Sequence, residues 1–123
     1  MTQNYVRPLR DSKGKTLPEA AREVFGPRRC PCCDIYMTRT PAKRFQSNPV
    51  TYETIGHDFS VARGGDARVW VFMCLRCNNE QGMLDLVTWA RKLIHYEDPR
   101  AERVTKLAVF IRQWVAENKR KRA

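Results

Sequence analysis

Toward the C-terminus, Val104, Leu107, Ile111 and Trp114 recur at intervals of three and four residues. That period predicts an amphipathic helix over residues 99–118, whose apolar face is either core or the seam of a homodimer or protein partner. Further upstream, NNEQGMLDLVTWARKL places Leu84, Val87, Trp89 and Leu93 near helical spacing, with Gly82 interrupting the start of the segment. Before it, Val50 to Phe59 and Arg68 to Met73 are rich in β-branched and aromatic residues and predict two strands, with Gly64, Gly65 and Asp66 in the loop between them. Trp70 and Phe72 alternate on the second strand and are expected to share a core-facing side, with a base-stacking platform as the alternative, while Trp89 and Trp114 are helix-core candidates. A short helix is expected after Thr16, which can cap it; Pro18 fits its first turn, Ala20, Val24 and Phe25 form its apolar set, and Gly26-Pro27 ends it. Residues 1–16 have no apolar period and read as a flexible basic arm. The organisation expected is therefore the arm at 1–16, one domain over 17–95, the helix at 99–118 and a basic tail at 119–123.

Charge adds a partner class to this outline. The 123 residues hold 23 Lys and Arg against 13 Asp and Glu, a formal charge of +10, which suits a polyanion such as nucleic acid. Arg28, Arg29, Lys43, Arg44, Arg63, Arg68 and Arg76 surround the cysteine clusters and the loop, and Lys119, Arg120, Lys121 and Arg122 close the chain. Each is a candidate phosphate contact, with solvated surface charge as the alternative. No apolar run is long enough to span a bilayer and the N-terminal stretch lacks a signal-peptide core, so a soluble, cytoplasmic protein is expected.

The cysteines change the picture most. Cys30-Pro31-Cys32-Cys33 and Cys74-Leu75-Arg76-Cys77 each contain a C-x-x-C step, which lets two thiolates from one tight turn meet a tetrahedral zinc. Two such knuckles supply four ligands, Cys30, Cys33, Cys74 and Cys77, and leave Cys32 over, although spacing alone also permits a pairing through Cys30 and Cys32. Five cysteines do not pair evenly as disulfides, and a redox pair would need a thioredoxin-like context. A filled four-cysteine sphere has no open position, so the zinc would be structural.

Between the knuckles runs Thr54-Ile55-Gly56-His57-Asp58-Phe59-Ser60-Val61-Ala62-Arg63-Gly64-Gly65, and the second knuckle leads into Cys77-Asn78-Asn79-Glu80-Gln81-Gly82. Over residues 29 to 93 the pattern resembles the zinc-stapled HNH endonuclease family. The resemblance implies an α+β fold, a small zinc-stabilised ββα-metal core with flanking helices. It also implies metal-dependent hydrolysis of DNA phosphodiesters, with His57 as general base and Asn78 as an oxygen ligand to a catalytic magnesium or manganese ion. A phage or mobile-element setting is the matching expectation. This chain departs from the family pattern at the metal-ligand position, where it has Gly56, at the strand asparagine, replaced by Val69, and at the final-motif lysine, replaced by Gln81. Asp58, two residues beyond Gly56 and on the same side of a strand, is the candidate substitute ligand. Three function classes stay open: an endonuclease, a catalytically degenerate nucleic-acid-binding adaptor or regulator on the same fold, and a protein-interaction module using the Val104–Trp114 face.

Overall fold

The computed structural model describes residues 6–40, 42–43 and 46–120, apart from the side chains of 119 and 120. In chain order it contains α1 (Leu17–Phe25), β1 (Glu53–His57), a 3-10 turn (Val61–Arg63), β2 (Trp70–Cys74), α2 (Leu75–Gln81), α3 (Leu86–His95) and α4 (Ala101–Arg120). This is a mixed α+β arrangement of a two-stranded sheet and four helices. None of the described helices is long and apolar enough to cross a membrane.

Local chemistry accounts for most of these boundaries. The Thr16 hydroxyl accepts the Glu19 N–H at the start of α1, where Pro18 needs no donor, and Gly26 ends the helix. The apolar set of α1 differs from expectation at Val24, which is 60% exposed. α2 begins earlier than the hydrophobic period suggests, because the Cys74 sulfur accepts the Cys77 N–H and so caps a helix that follows β2 without a loop. Gly82, at φ 56, breaks the helical run, and Asp85 starts α3.

The strands pair antiparallel, Glu53 opposite Cys74, Ile55 opposite Phe72 and His57 opposite Trp70. Side chains therefore sort into two faces. Thr54, Gly56, Val71 and Met73 share one face, and Val71 and Met73 join the buried cluster of Leu17, Met37, Leu86, Trp89, Leu107 and Ile111. Ile55, His57, Trp70 and Phe72 share the other, where the Trp70 and Phe72 rings meet edge to face at 5.1 Å.

Of the two readings of the Val104–Trp114 face, core is the one that fits: Val104, Leu107, Ile111 and Trp114 are all buried within the chain. The described part of the expected arm, from Val6 to Thr16, is not loose. Leu9 is buried and its N–H donates to Arg68 O at 3.0 Å, and Trp70 Nε1 donates to Val6 O at 2.9 Å. Asp11 Oδ1 accepts the N–H groups of Lys13 and Lys15, both at 2.9 Å, which folds the intervening basic stretch into a turn.

Candidate functional site

The first knuckle is a tight hairpin in which Cys30 N–H donates to Ile35 O and Asp34 N–H to Cys30 O. The second is the β2–α2 junction. Together they bring the sulfurs of Cys30, Cys33, Cys74 and Cys77 within 4.8 Å of one another, with Cys33 and Cys74 at 3.7 Å. Thiolates bound at about 2.3 Å to one tetrahedral ion lie roughly 3.8 Å apart, so the spacing is that of a metal site. The cluster can hold a metal ion such as zinc. Cys32 is buried beside it but is not one of the four.

The cluster's surroundings favour negative sulfur. Cys74 N–H donates to Cys30 Sγ at 3.5 Å, Cys77 N–H to Cys74 Sγ at 3.4 Å, and an Arg100 guanidinium nitrogen to Cys77 Sγ at 3.5 Å. Contacts from Cys32 and its neighbours hold the Cys30 thiol far below the ordinary range, while Cys30 in turn pushes Cys74 and Cys77 far above it. Cys33 is also drawn down, to about 7, so the cluster resists carrying four negative sulfurs at once, and a divalent cation is what would let all four ionise.

On the Ile55–His57 face lies an open cleft of about 460 Å³, lined by Val6, Ile55, His57, Val61, Ala67, Trp70 and Asn78. Asn78 reaches it from α2, its Nδ2 donating to Thr54 Oγ1 at 2.9 Å and Ile55 O at 3.1 Å, which leaves Oδ1 as an acceptor. His57 Nε2 lies 3.4 Å from Ala67 O. Burial lowers the His57 pKa from 6.5, against smaller raising effects of the Ala67 carbonyl and the Asp66 charge, so the ring is neutral at pH 7. An NMR titration is therefore expected to place its midpoint below 6.5. The unfolded chain binds that proton first as pH falls, so this group's stabilising contribution declines below about pH 6.5 and levels off beneath the folded midpoint.

His57 and Asn78 thus line one cleft, but Asp58 does not. It is 2% exposed and turned to the opposite face, where it accepts Leu86 N–H at 2.8 Å and Arg112 Nε at 3.0 Å. Gly56 points away from His57 within β1, and Asp58, in the bend just past the strand, is held away from it by Leu86 and Arg112. A side chain at Gly56 would crowd Met73, since a Cβ there would lie 2.9 Å from Met73 Cε and 3.1 Å from Met73 Cβ, and it would point away from the His57 cleft. No carboxylate lines the cleft among the described residues. Val69 faces a second cleft, with Ile111 and Val115, where it packs and holds no hydrogen-bonding side chain.

Gln81 acquires a role that its place in the sequence did not announce. It is buried, and its Nε2 donates to His57 O at 2.8 Å and Leu84 O at 3.0 Å, pinning the end of β1. Arg112 was also missed, because nothing near it in the chain signals a carboxylate 54 residues away.

The basic candidates separate into two groups. Arg68 pairs with Asp66 at 2.9 Å and Arg76 with Glu80 at 3.5 Å, which offsets their charge. Arg28 and Arg29 donate to carbonyl oxygens of Met37 and Asp34, and Arg63 and Lys43 are exposed; none of these four has a carboxylate partner among the described residues. Arg44, Lys121 and Arg122 lie outside the described residues, as do the side chains of Lys119 and Arg120. No protein-family model matches this chain, and neither a curated protein nor a solved structure matches it.

Proposed function

We propose that this protein is a zinc-stapled, HNH-like DNA-binding protein. One zinc held by Cys30, Cys33, Cys74 and Cys77 secures the ββα core, and the His57 cleft with Arg28, Arg29, Lys43 and Arg63 engages the phosphate backbone. One observation carries binding ahead of hydrolysis: Asp58 is taken up by Arg112 and Leu86, and Gly56 abuts Met73, so the cleft has no carboxylate. Magnesium and manganese prefer oxygen donors, and magnesium sites ordinarily use one or two carboxylates beside substrate phosphates. One amide oxygen and one imidazole do not meet that need, and no step through such an ion follows. The chain's own groups suffice for binding. Guanidinium and ammonium groups offset phosphate charge without reading bases, and the His57 imidazole and Asn78 amide offer hydrogen bonds at the cleft.

A second reading, a metal-dependent endonuclease with His57 as general base, is favoured by the neutral His57 sharing its cleft with Asn78. One experiment separates the two. The purified protein and His57→Ala are incubated with supercoiled plasmid and labelled duplex in magnesium, manganese or EDTA. The expected result is binding by both proteins without cutting. Four phosphate contacts give a log–log salt slope of about −3.6, so affinity should fall on the order of 100-fold between ~50 and ~200 mM salt. Cation-dependent cutting that His57→Ala lowers by about 10²- to 10⁴-fold would instead establish the endonuclease. Absence of salt-sensitive binding would remove both readings.

A further inference from the structure

The first knuckle ends in an exposed aromatic ring that the core does not use. The hairpin around Cys30 and Cys33 is closed by a bridge between Arg29 and Tyr36, and Asp34, at φ 65, turns the chain. Tyr36 is 51% exposed, and its hydroxyl makes no hydrogen bond among the described residues. The Arg28 guanidinium carbon lies 4.8 Å from the ring centroid and that of Arg29 5.8 Å. Met37 O holds Arg28 at 3.2 Å and Asp34 O holds Arg29 at 3.3 Å, so each is held by a neutral carbonyl and neither has a carboxylate partner among the described residues.

The other arginine–ring contacts among the described residues differ in that respect. Arg22 over Phe72 is neutralised by Glu53, Arg100 over Trp89 by Asp98 and Glu80, and Arg112 over Phe59 by Asp58 and Asp85. Of these contacts, the one at Tyr36 alone joins an open ring to uncompensated guanidinium charge.

Resting on the DNA-binding reading, we infer that Tyr36, flanked by Arg28 and Arg29, is a stacking platform for an unpaired nucleobase, which gives the protein a preference for DNA with single-stranded character. A half-exposed aromatic ring gains most from a base that is not already stacked between neighbours, and bases inside a duplex are. The two guanidiniums complement the phosphates on either side of that base and polarise the ring toward it.

The test is fluorescence anisotropy on the full chain, with a labelled single strand and a blunt duplex of the same sequence at one salt concentration. Wild type is compared with Tyr36→Ala and Tyr36→Phe, each checked for zinc content and far-UV circular dichroism. Losing one stacked base corresponds to a loss of roughly 5- to 140-fold, and Tyr36→Ala should show it on the single strand while duplex affinity stays within about twofold. Tyr36→Phe should bind as wild type does, because the ring and not the hydroxyl makes the contact. Unchanged single-strand binding by Tyr36→Ala, or an equal loss on both DNAs, overturns the platform and leaves the DNA-binding reading standing. Wild-type failure on both DNAs overturns that reading itself, and tighter binding of polyglutamate than of either DNA would make the patch a protein-docking site.

Discussion

Cys74→Ser is expected to unfold the chain. Cys74 would be a zinc ligand, its sulfur caps α2, and its N–H donates to Cys30 Sγ, so one residue joins metal, strand and helix. Structural zinc supplies about 10–16 kcal/mol in small zinc peptides, whereas a whole domain is stable by only about 5–15 kcal/mol. A site reduced from four ligands to three forfeits a large share of that energy, and a domain with so small a margin cannot spare it. The expected observations are about one zinc per wild-type chain, none in the variant, and collapse of the helical circular dichroism signal. Cys32→Ser provides the contrast: it is equally buried but lies outside the four, so it should stay folded and keep its zinc. A folded, metal-free Cys74→Ser would show that the cluster is not the staple.

Asp58→Ala should be the most damaging change away from the cysteines, at about 3 kcal/mol. Removing one partner of a buried ion pair costs about 3–5 kcal/mol, and the lower end applies because Arg112 is 40% exposed. Part of the loss is the Leu86 N–H left without its acceptor at the start of α3. Urea denaturation should register the shift. Combining Asp58→Ala with Arg112→Met should cost clearly less than the sum of the single changes, since each removes the same contact. Additive losses would mean that the pair does not couple the end of β1 to α4.

What could be read from the chain was what repeats or caps locally. The two C-x-x-C steps, the Thr16–Gly26 helix and the Val104–Trp114 period each carry their signal within a few residues, and each appears as an element or a cluster. What could not be read was set by partners far along the chain. Alternation assumes a strand that continues through Asp58, but β1 ends at His57, and the place of Asp58 in the following bend is set by Leu86 and Arg112, far along the chain. The stretch around Leu9 looked loose because its anchors, Arg68 O and the Trp70 indole, lie some sixty residues away. The apolar stripe of α4 fitted core and dimer seam equally well until α3 was packed against it.

The absence of a loop between β2 and α2 has a consequence for strand alignment. Two-stranded sheets are marginal alone, and a slip of one residue would exchange their faces. Here Cys74 and Cys77 anchor α2 at a fixed point, and Asn78, one residue further on, grips Thr54 and Ile55 of the opposite strand. A metal bound at the cysteines would act as the zero mark of a ruler: it sets where β2 ends, which sets where α2 begins, which sets which residues of β1 look outward. His57 would then owe its place in the cleft to an ion it never touches.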